Sequence, residues 1–212
     1  MSIPKHQIRA TYDAETITVY QTYSPAIANP AVAAGTFVPP FSLTRMTWIK
    51  PSFLWMMYRC GWATKPGQER VLAVRITRAG FESALSQACL SHFDRGHHAD
   101  RGAWRDALRR SPVRIQWDPE RTPSGTSLPH RSLQIGLGPE VVPAYVDDWI
   151  VGIDDITDRL PAIRSGEQPR PTEMPYPLPT DVAARIGASS RASQIQANRT
   201  TVGLINVTAE YR

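Results

Sequence analysis

Apolar and polar positions alternate with a period of two over Glu15–Tyr23 (ETITVYQTY), so that Ile17, Val19 and Gln21 share one face; the β-branched and aromatic content predicts a strand. Pro25 opens an Ala-rich stretch to Ala34, with Gly35 where a helix C-terminus wants it, and this predicts the first helix. Beyond a turn at Pro39 and Pro40 comes a second short strand, Arg45–Ile49. Lys50, Pro51 and Ser52 then lead into a helix over Phe53–Cys60 that Gly61 ends. Val71–Ile76 predicts a buried strand, and Gly80–Leu90 and Asp100–Arg110 predict amphipathic helices. Strands are predicted at Val113–Trp117 and Ser132–Leu137, on either side of a polar Pro/Gly/Ser loop, Asp118–Pro129. Val142–Trp149 reads as helix and Ile150–Ile156 as a last strand.

From Ser165 the texture changes. Pro169, Pro171, Pro175, Pro177 and Pro179 break every period, which predicts an extended segment lying over the core. The organisation expected is an α+β core over 1–164, a proline-rich strap over 165–187 and a polar tail over 188–212, the tail holding one strand-like piece, Thr201–Val207. Strands and helices mix without βαβ regularity. The class is therefore α+β, a compact mixed or antiparallel β core with flanking helices.

Composition changes this picture little. With 212 residues, 42% apolar and 20% charged, the chain can bury a core without metal or disulfide, and wholesale disorder is excluded. No apolar run approaches the roughly 20 residues of a membrane span, so no membrane partner is expected. The N-terminus lacks a secretory h-region, and two cysteines make no disulfide framework, so a reduced cytoplasmic setting is expected. Charge says more: the net charge is +5, with 21 Arg against 3 Lys. Arginine's planar donor fork suits phosphates and stacks on bases, although the arginines are scattered and a GC-rich genome would also supply them. Nucleotide, RNA or DNA are permitted partners.

There is no GxGxxG, Walker A, GxSxG or HExxH motif, which argues against Rossmann enzymes, P-loop NTPases, α/β-hydrolases and zincins. Cys89, His92, His97 and His98 form the one ligand-like cluster, but its adjacent histidines cannot easily face one ion, so no metal is expected. The most distinctive stretch is Arg45–Trp62 (RMTWIKPSFLWMMYRCGW). Trp48 and Trp55 bracket a helix start at which Lys50 and Ser52 sit, a place where free N–H groups could hold a pyrophosphate. Read plainly, Ser52 is a cap and Phe53, Trp55, Met56 and Met57 are core.

Arg9-Ala-Thr-Tyr12, Val19–Tyr23, Arg45–Arg59, Gly61-Trp62, Val113–Arg121 and Arg131–Leu137 resemble the DUF4291 family over residues 5–187. That family implies no activity. The chain also resembles, in layout, the ADP-ribosyltransferase-like superfamily, which implies an ADP-ribosyltransferase-like fold. In that superfamily a strand with a Tyr-His-Gly-Thr-like motif leads to a helix ending in Gly, as Val19–Pro25 leads to Gly35 here. A strand then enters a helix through a Ser/Thr-Pro-like junction, similar to Thr47–Ser52, and a later strand, similar to Ser132–Leu137, carries a catalytic Glu.

The resemblance implies NAD as substrate. Gln21 takes the place of the residue that grips NAD ribose or phosphate. Tyr20, Thr22 and Ser24 belong with the nicotinamide pocket, Trp48 or Tyr58 stacks nearby, Lys50 and Ser52 face the anion, and Arg45, Arg59 and Arg131 form the rim. Gln134 stands where the glutamate should be. It can hold a ribose hydroxyl but brings no charge to an oxocarbenium-like transition state, so a neighbouring carboxylate, Asp118 or Glu140, would have to substitute. The function expected is NAD-dependent ADP-ribosyl transfer to an acceptor such as a nucleic acid or nucleobase. The alternatives are a non-catalytic nucleotide- or RNA-binding module, or an enzyme of other transfer chemistry. Each position also has a bland reading: Gln21 and Gln134 as satisfied core amides, Asp118–Arg121 as a turn.

Overall fold

In the computed structural model, which describes residues 3–189, the chain is α+β, with seven α-helices and three sheets among those residues. Strand β1 (Arg9–Ala10) precedes β2 (Thr16–Tyr23), and the period of two holds, since Ile17, Val19 and Gln21 are all buried on one face. Helix α1 (Pro25–Ala34) runs from Ser24 to Gly35, whose left-handed backbone closes it. Strand β3 (Thr47–Ile49) leads into α2 (Phe53–Cys60), where the Ser52 hydroxyl accepts the Trp55 N–H and Gly61 ends the helix. Strand β4 (Arg70–Thr77) passes directly into α3 (Arg78–Ser86), capped by Thr77.

The helix expected over Gly80–Leu90 is shorter than its pattern suggests. Ala88–Leu90 is strand β5, because it finds a parallel partner in Val113–Ile115. Helix α4 (Arg101–Arg110) follows, then β6 (Val113–Arg121) and β7 (Ser127–Leu137). The loop expected over Asp118–Pro129 shrinks to a tight turn, since both strands run on through their prolines, with a register shift between Pro119 and Arg121. The short α5 (Val142–Ala144) widens into a π-helical turn, Tyr145–Trp149, ahead of β8 (Ile150–Asp155), and α6 (Leu160–Ser165) follows. Four elements are not predicted from the sequence: β1, α6, β9 (Met174–Pro175) and α7 (Thr180–Ile186). The strand-like Thr201–Val207 lies outside the described residues.

Sheet order is β2-β4-β8, antiparallel throughout, and β3-β7-β6-β5, with only the β5–β6 pair parallel. The two sheets touch where the Tyr20 N–H donates to the Lys50 carbonyl at 2.7 Å. Between them lies the main core, which includes Ile17, Val74, Phe81, Ile115, Ile135 and Tyr145. A smaller cluster of Tyr20, Phe53, Met57, Cys60, Val71, Ile156 and Leu160 joins α2 to the outer face of β2 and β4. Packing is close at Gly80 of α3, which lies against the Trp149 indole with no room for a Cβ.

The C-terminal elements close the molecule. β9 pairs with β1, and Tyr176, Val182 and Ile186 join the main core. Ile186 O accepts from Trp117 Nε1 at 2.7 Å, the Ser189 N–H donates to His6 O at 2.8 Å, and His6 Nδ1 donates to Gly187 O at 2.8 Å. Among the described residues no helix is long and apolar enough to cross a membrane.

Candidate functional site

Strands β6 and β7 alternate strictly. Val113, Ile115, Trp117, Leu133, Ile135 and Leu137 enter the core, which puts Gln116, Asp118, Ser132 and Gln134 on the opposite face. Gln116 and Gln134 are cross-strand partners, as are Asp118 and Ser132. One Asp118 carboxylate oxygen accepts Gln116 Nε2 at 2.9 Å and the other accepts Gln134 Nε2. A carboxylate thus touches the amide that stands where a glutamate was expected. The Ser132 hydroxyl, buried beside it, has no hydrogen-bond partner.

Lys50 lies one residue past β3, and the alternation Trp48, Ile49, Lys50 puts Trp48 and Lys50 on this same polar face. Trp48 pairs with Gly136, and its indole covers that glycine, where an added Cβ would meet the ring at 3.0 Å. Lys50 is buried and its Nζ donates to Trp48 O at 3.1 Å, 5.8 Å from the centre of the Trp55 ring. Burial pushes the amine down to about 7; the Arg59 charge acts in the same direction and Asp118 opposes it. Helix α2 supplies Trp55 and Arg59, one turn apart, over the strip.

The helix N-terminus expected to hold an anion is capped from within the chain. Ser52 Oγ takes the Trp55 N–H at 3.2 Å, and Glu173, brought over by the strap, takes the Phe53 N–H at 2.7 Å. A cavity of about 560 Å³ borders this cap, lined among others by Arg9, Phe53, Arg170 and Glu173.

The other residues expected at the site lie elsewhere. Gln21 is in the main core, where its amide nitrogen donates to Tyr23 Oη (2.8 Å) and Thr47 Oγ1 (2.7 Å) and its oxygen accepts from Tyr145 Oη (2.5 Å). Tyr20 faces the other way, edge-on to Phe53, and burial raises its phenol. Thr22 reaches Gln68 at 3.4 Å, and Ser24 precedes α1 without a side-chain cap bond. Arg45 is exposed, ahead of β3. Tyr58 lies under the Arg121 guanidinium at 3.8 Å, and Arg131 donates to Trp117 O at 3.1 Å. Glu140 is exposed beyond β7.

The structure therefore brings together Trp48, Lys50, Arg59 and Gln134 with Asp118, one of the two carboxylates expected, and adds Gln116 and Ser132. The last two had a readable signal, polar residues at every second position of two paired strands. Glu173 had none. Cys89 Sγ lies 4.0 Å from His98 Nε2 while His97 pairs with Asp94, and no group of three or more metal-ligating side chains converges among the described residues.

A family model described as Domain of unknown function (DUF4291) matches residues 7–179. No curated protein and no solved structure matches the chain.

Proposed function

The chain belongs to the DUF4291 family, and from that premise, which assigns no activity, we propose that it is an NAD-dependent ADP-ribosyltransferase-like enzyme acting at the Asp118–Gln134 strip. The observation that carries the reading is the Asp118 carboxylate in hydrogen-bond contact with Gln134. It supplies the negative charge that glutamine lacks, at the position where the layout of ADP-ribosyltransferase-like folds calls for it. The connection of β2 to β3 through α1, and of β3 into α2, supports the same layout.

In this reading the bond between ribose C1′ and the nicotinamide nitrogen breaks, nicotinamide leaves, and Asp118 stabilises the ribosyl cation. Gln134 fixes the carboxylate and a ribose hydroxyl. The acceptor then attacks C1′ and gives its proton to the Lys50 amine, whose affinity for a proton near neutrality suits a general base. Trp48 and Arg59 flank the ligand, and the basic chain favours a nucleic acid or nucleobase as acceptor. Two free cysteines, Cys60 and Cys89, fit a cytoplasmic setting.

The test is nicotinamide release from NAD, with and without bulk RNA. Asp118→Asn should lower it by about 10²-fold or more, Gln134→Ala should lower it, and Gln134→Glu should retain it. Turnover indifferent to Asp118→Asn rejects the assignment. NAD or RNA binding without turnover leaves the non-catalytic binding module, which the exposed Arg45 and Arg59 favour.

A further inference from the structure

We propose that the cavity between the end of α2 and helix α6 is a second ligand site, which takes a planar heteroaromatic ring of the amino-purine class. The cavity measures about 720 Å³ and is lined by Trp62, Ala63, Asp158, Leu160, Pro161 and Arg164, among others. That volume is in the range of small-molecule sites. It is separate from the Asp118 strip. Phe53, Met57 and Cys60 face the cluster on this side of α2, with Trp62 and Ala63 packed against them, whereas Trp55 reaches Lys50.

The backbone shows that the cavity wall is held in place at a cost. One left-handed residue suffices to end α2, and Gly61 provides it at φ 62°. The chain nevertheless continues left-handed through two residues that carry side chains, Trp62 at φ 56° and Ala63 at φ 65°. Such conformations persist only where the surroundings enforce them, and they concentrate at ligand sites. Here the Trp62 N–H bonds to Met57 O at 2.9 Å and the Lys65 N–H to Cys60 O at 3.3 Å, which fixes the turn. Its effect is to stand the Trp62 indole edge-on to Phe53, with ring centres 5.9 Å apart, as one wall of the cavity.

The chemistry of the wall selects the ligand. The Arg164 guanidinium lies 5.5 Å from the Trp62 ring centre, and both groups present flat, weakly hydrated faces to a stacking partner. Leu160, Pro161 and Ala63 supply apolar contact. The carboxylate of Asp158, exposed at the rim, is a hydrogen-bond acceptor and so suits an exocyclic amino group. A flat ring bearing an amino group satisfies all three; an aliphatic ligand satisfies one.

The experiment is calorimetric titration of the full chain with adenosine, AMP and a short oligoadenylate, with cyclohexanol as an apolar non-planar control. Adenosine should bind and cyclohexanol should not. Trp62→Leu and Arg164→Ala should each weaken adenosine about tenfold, the scale of one lost stack, while Trp62→Phe retains binding. Ala63→Gly relieves the left-handed backbone and should raise the thermal midpoint. Arg164 is exposed, so its variant carries the test if Trp62→Leu fails to fold. Tighter binding of oligoadenylate than of AMP assigns the site to a strand, and the reverse to a free nucleotide. Adenosine that binds wild type and both weakened variants equally, as it would at the Asp118 strip, overturns the proposal. So does the absence of binding at about 10 mM, weaker than about −3 kcal/mol.

Discussion

The carboxylate of Glu173 accepts the backbone N–H of Phe53 at 2.7 Å, across 120 residues of sequence, and so places the strap's one half-buried acid on the first turn of α2. Burial pushes this carboxyl up to about 8. The Phe53 N–H pulls it down, and Glu120 adds to the rise. A carboxyl raised in the fold stabilises it while protonated, so its contribution is complete below the unfolded value of 4.5 and is lost as pH rises through 8. Glu173→Gln keeps the acceptor and removes the titration. Its thermal midpoint relative to wild type should climb steadily across that window, and a constant difference would place Glu173 outside the cap.

Lys50 titrates in the opposite sense. Its amine is neutral in both folded and unfolded chains above pH 10.5, and the cost of charging it in the fold grows as pH falls to about 7, then levels off. Lys50→Met should therefore be more stable than wild type at pH 6, on the order of 5 kcal/mol, and the gap should close towards pH 10.5. Urea unfolding at both extremes measures it. ADP-ribosyl transfer to the acceptor should be lost in the same variant.

Tyr145→Phe keeps the buried ring but withdraws the hydroxyl that donates to Gln21 Oε1. The amide oxygen is left without its donor in a dry core, at about 1 to 3 kcal/mol. Chemical denaturation should show the loss. A change within about 0.5 kcal/mol, the scale of an ordinary surface substitution, would mean that water reaches Gln21.

Gly80→Ala tests the contact between α3 and the π-helical turn. In a free helix this change gains about 1 kcal/mol. Here the new methyl enters the Trp149 indole, and the overpacking should make the variant less stable by about 1 to 3 kcal/mol. Gly80→Ala placed in a Trp149→Ala background should no longer be unfavourable, which a double-mutant cycle of unfolding free energies will show.

The sequence announces elements whose ends are local. Pro25 and Gly35 bound α1, and Ser52 and Gly61 bound α2, because a cap or a left-handed residue acts within a few positions. It misleads where a distant partner decides. Ala88–Leu90 is apolar enough for either a helix or a strand, and pairing with Val113–Ile115 settles it. The run Asp118–Pro129 has the composition of a loop, yet its polar residues are the outer face of a hairpin. At the site, Trp48, Lys50 and Gln134 were legible from their junctions and strands. Gln21 pointed the wrong way because its closing donor, Tyr145, is 124 residues distant. Glu173 sits among prolines, where no periodicity marks which side chain turns inward.

The seam between residue 6 and residues 187–189 has a consequence for biosynthesis. Trp117, Ile8 and Phe81 gain their last covering from Tyr176, Val182 and Ile186, which emerge from the ribosome after everything they cover. A nascent chain as far as Ser165 already carries both large sheets but leaves that apolar surface and the unpaired edge of β1 open. Such partly covered intermediates are the aggregation-prone ones. Until the last elements dock, that open surface is what a chaperone would have to shield.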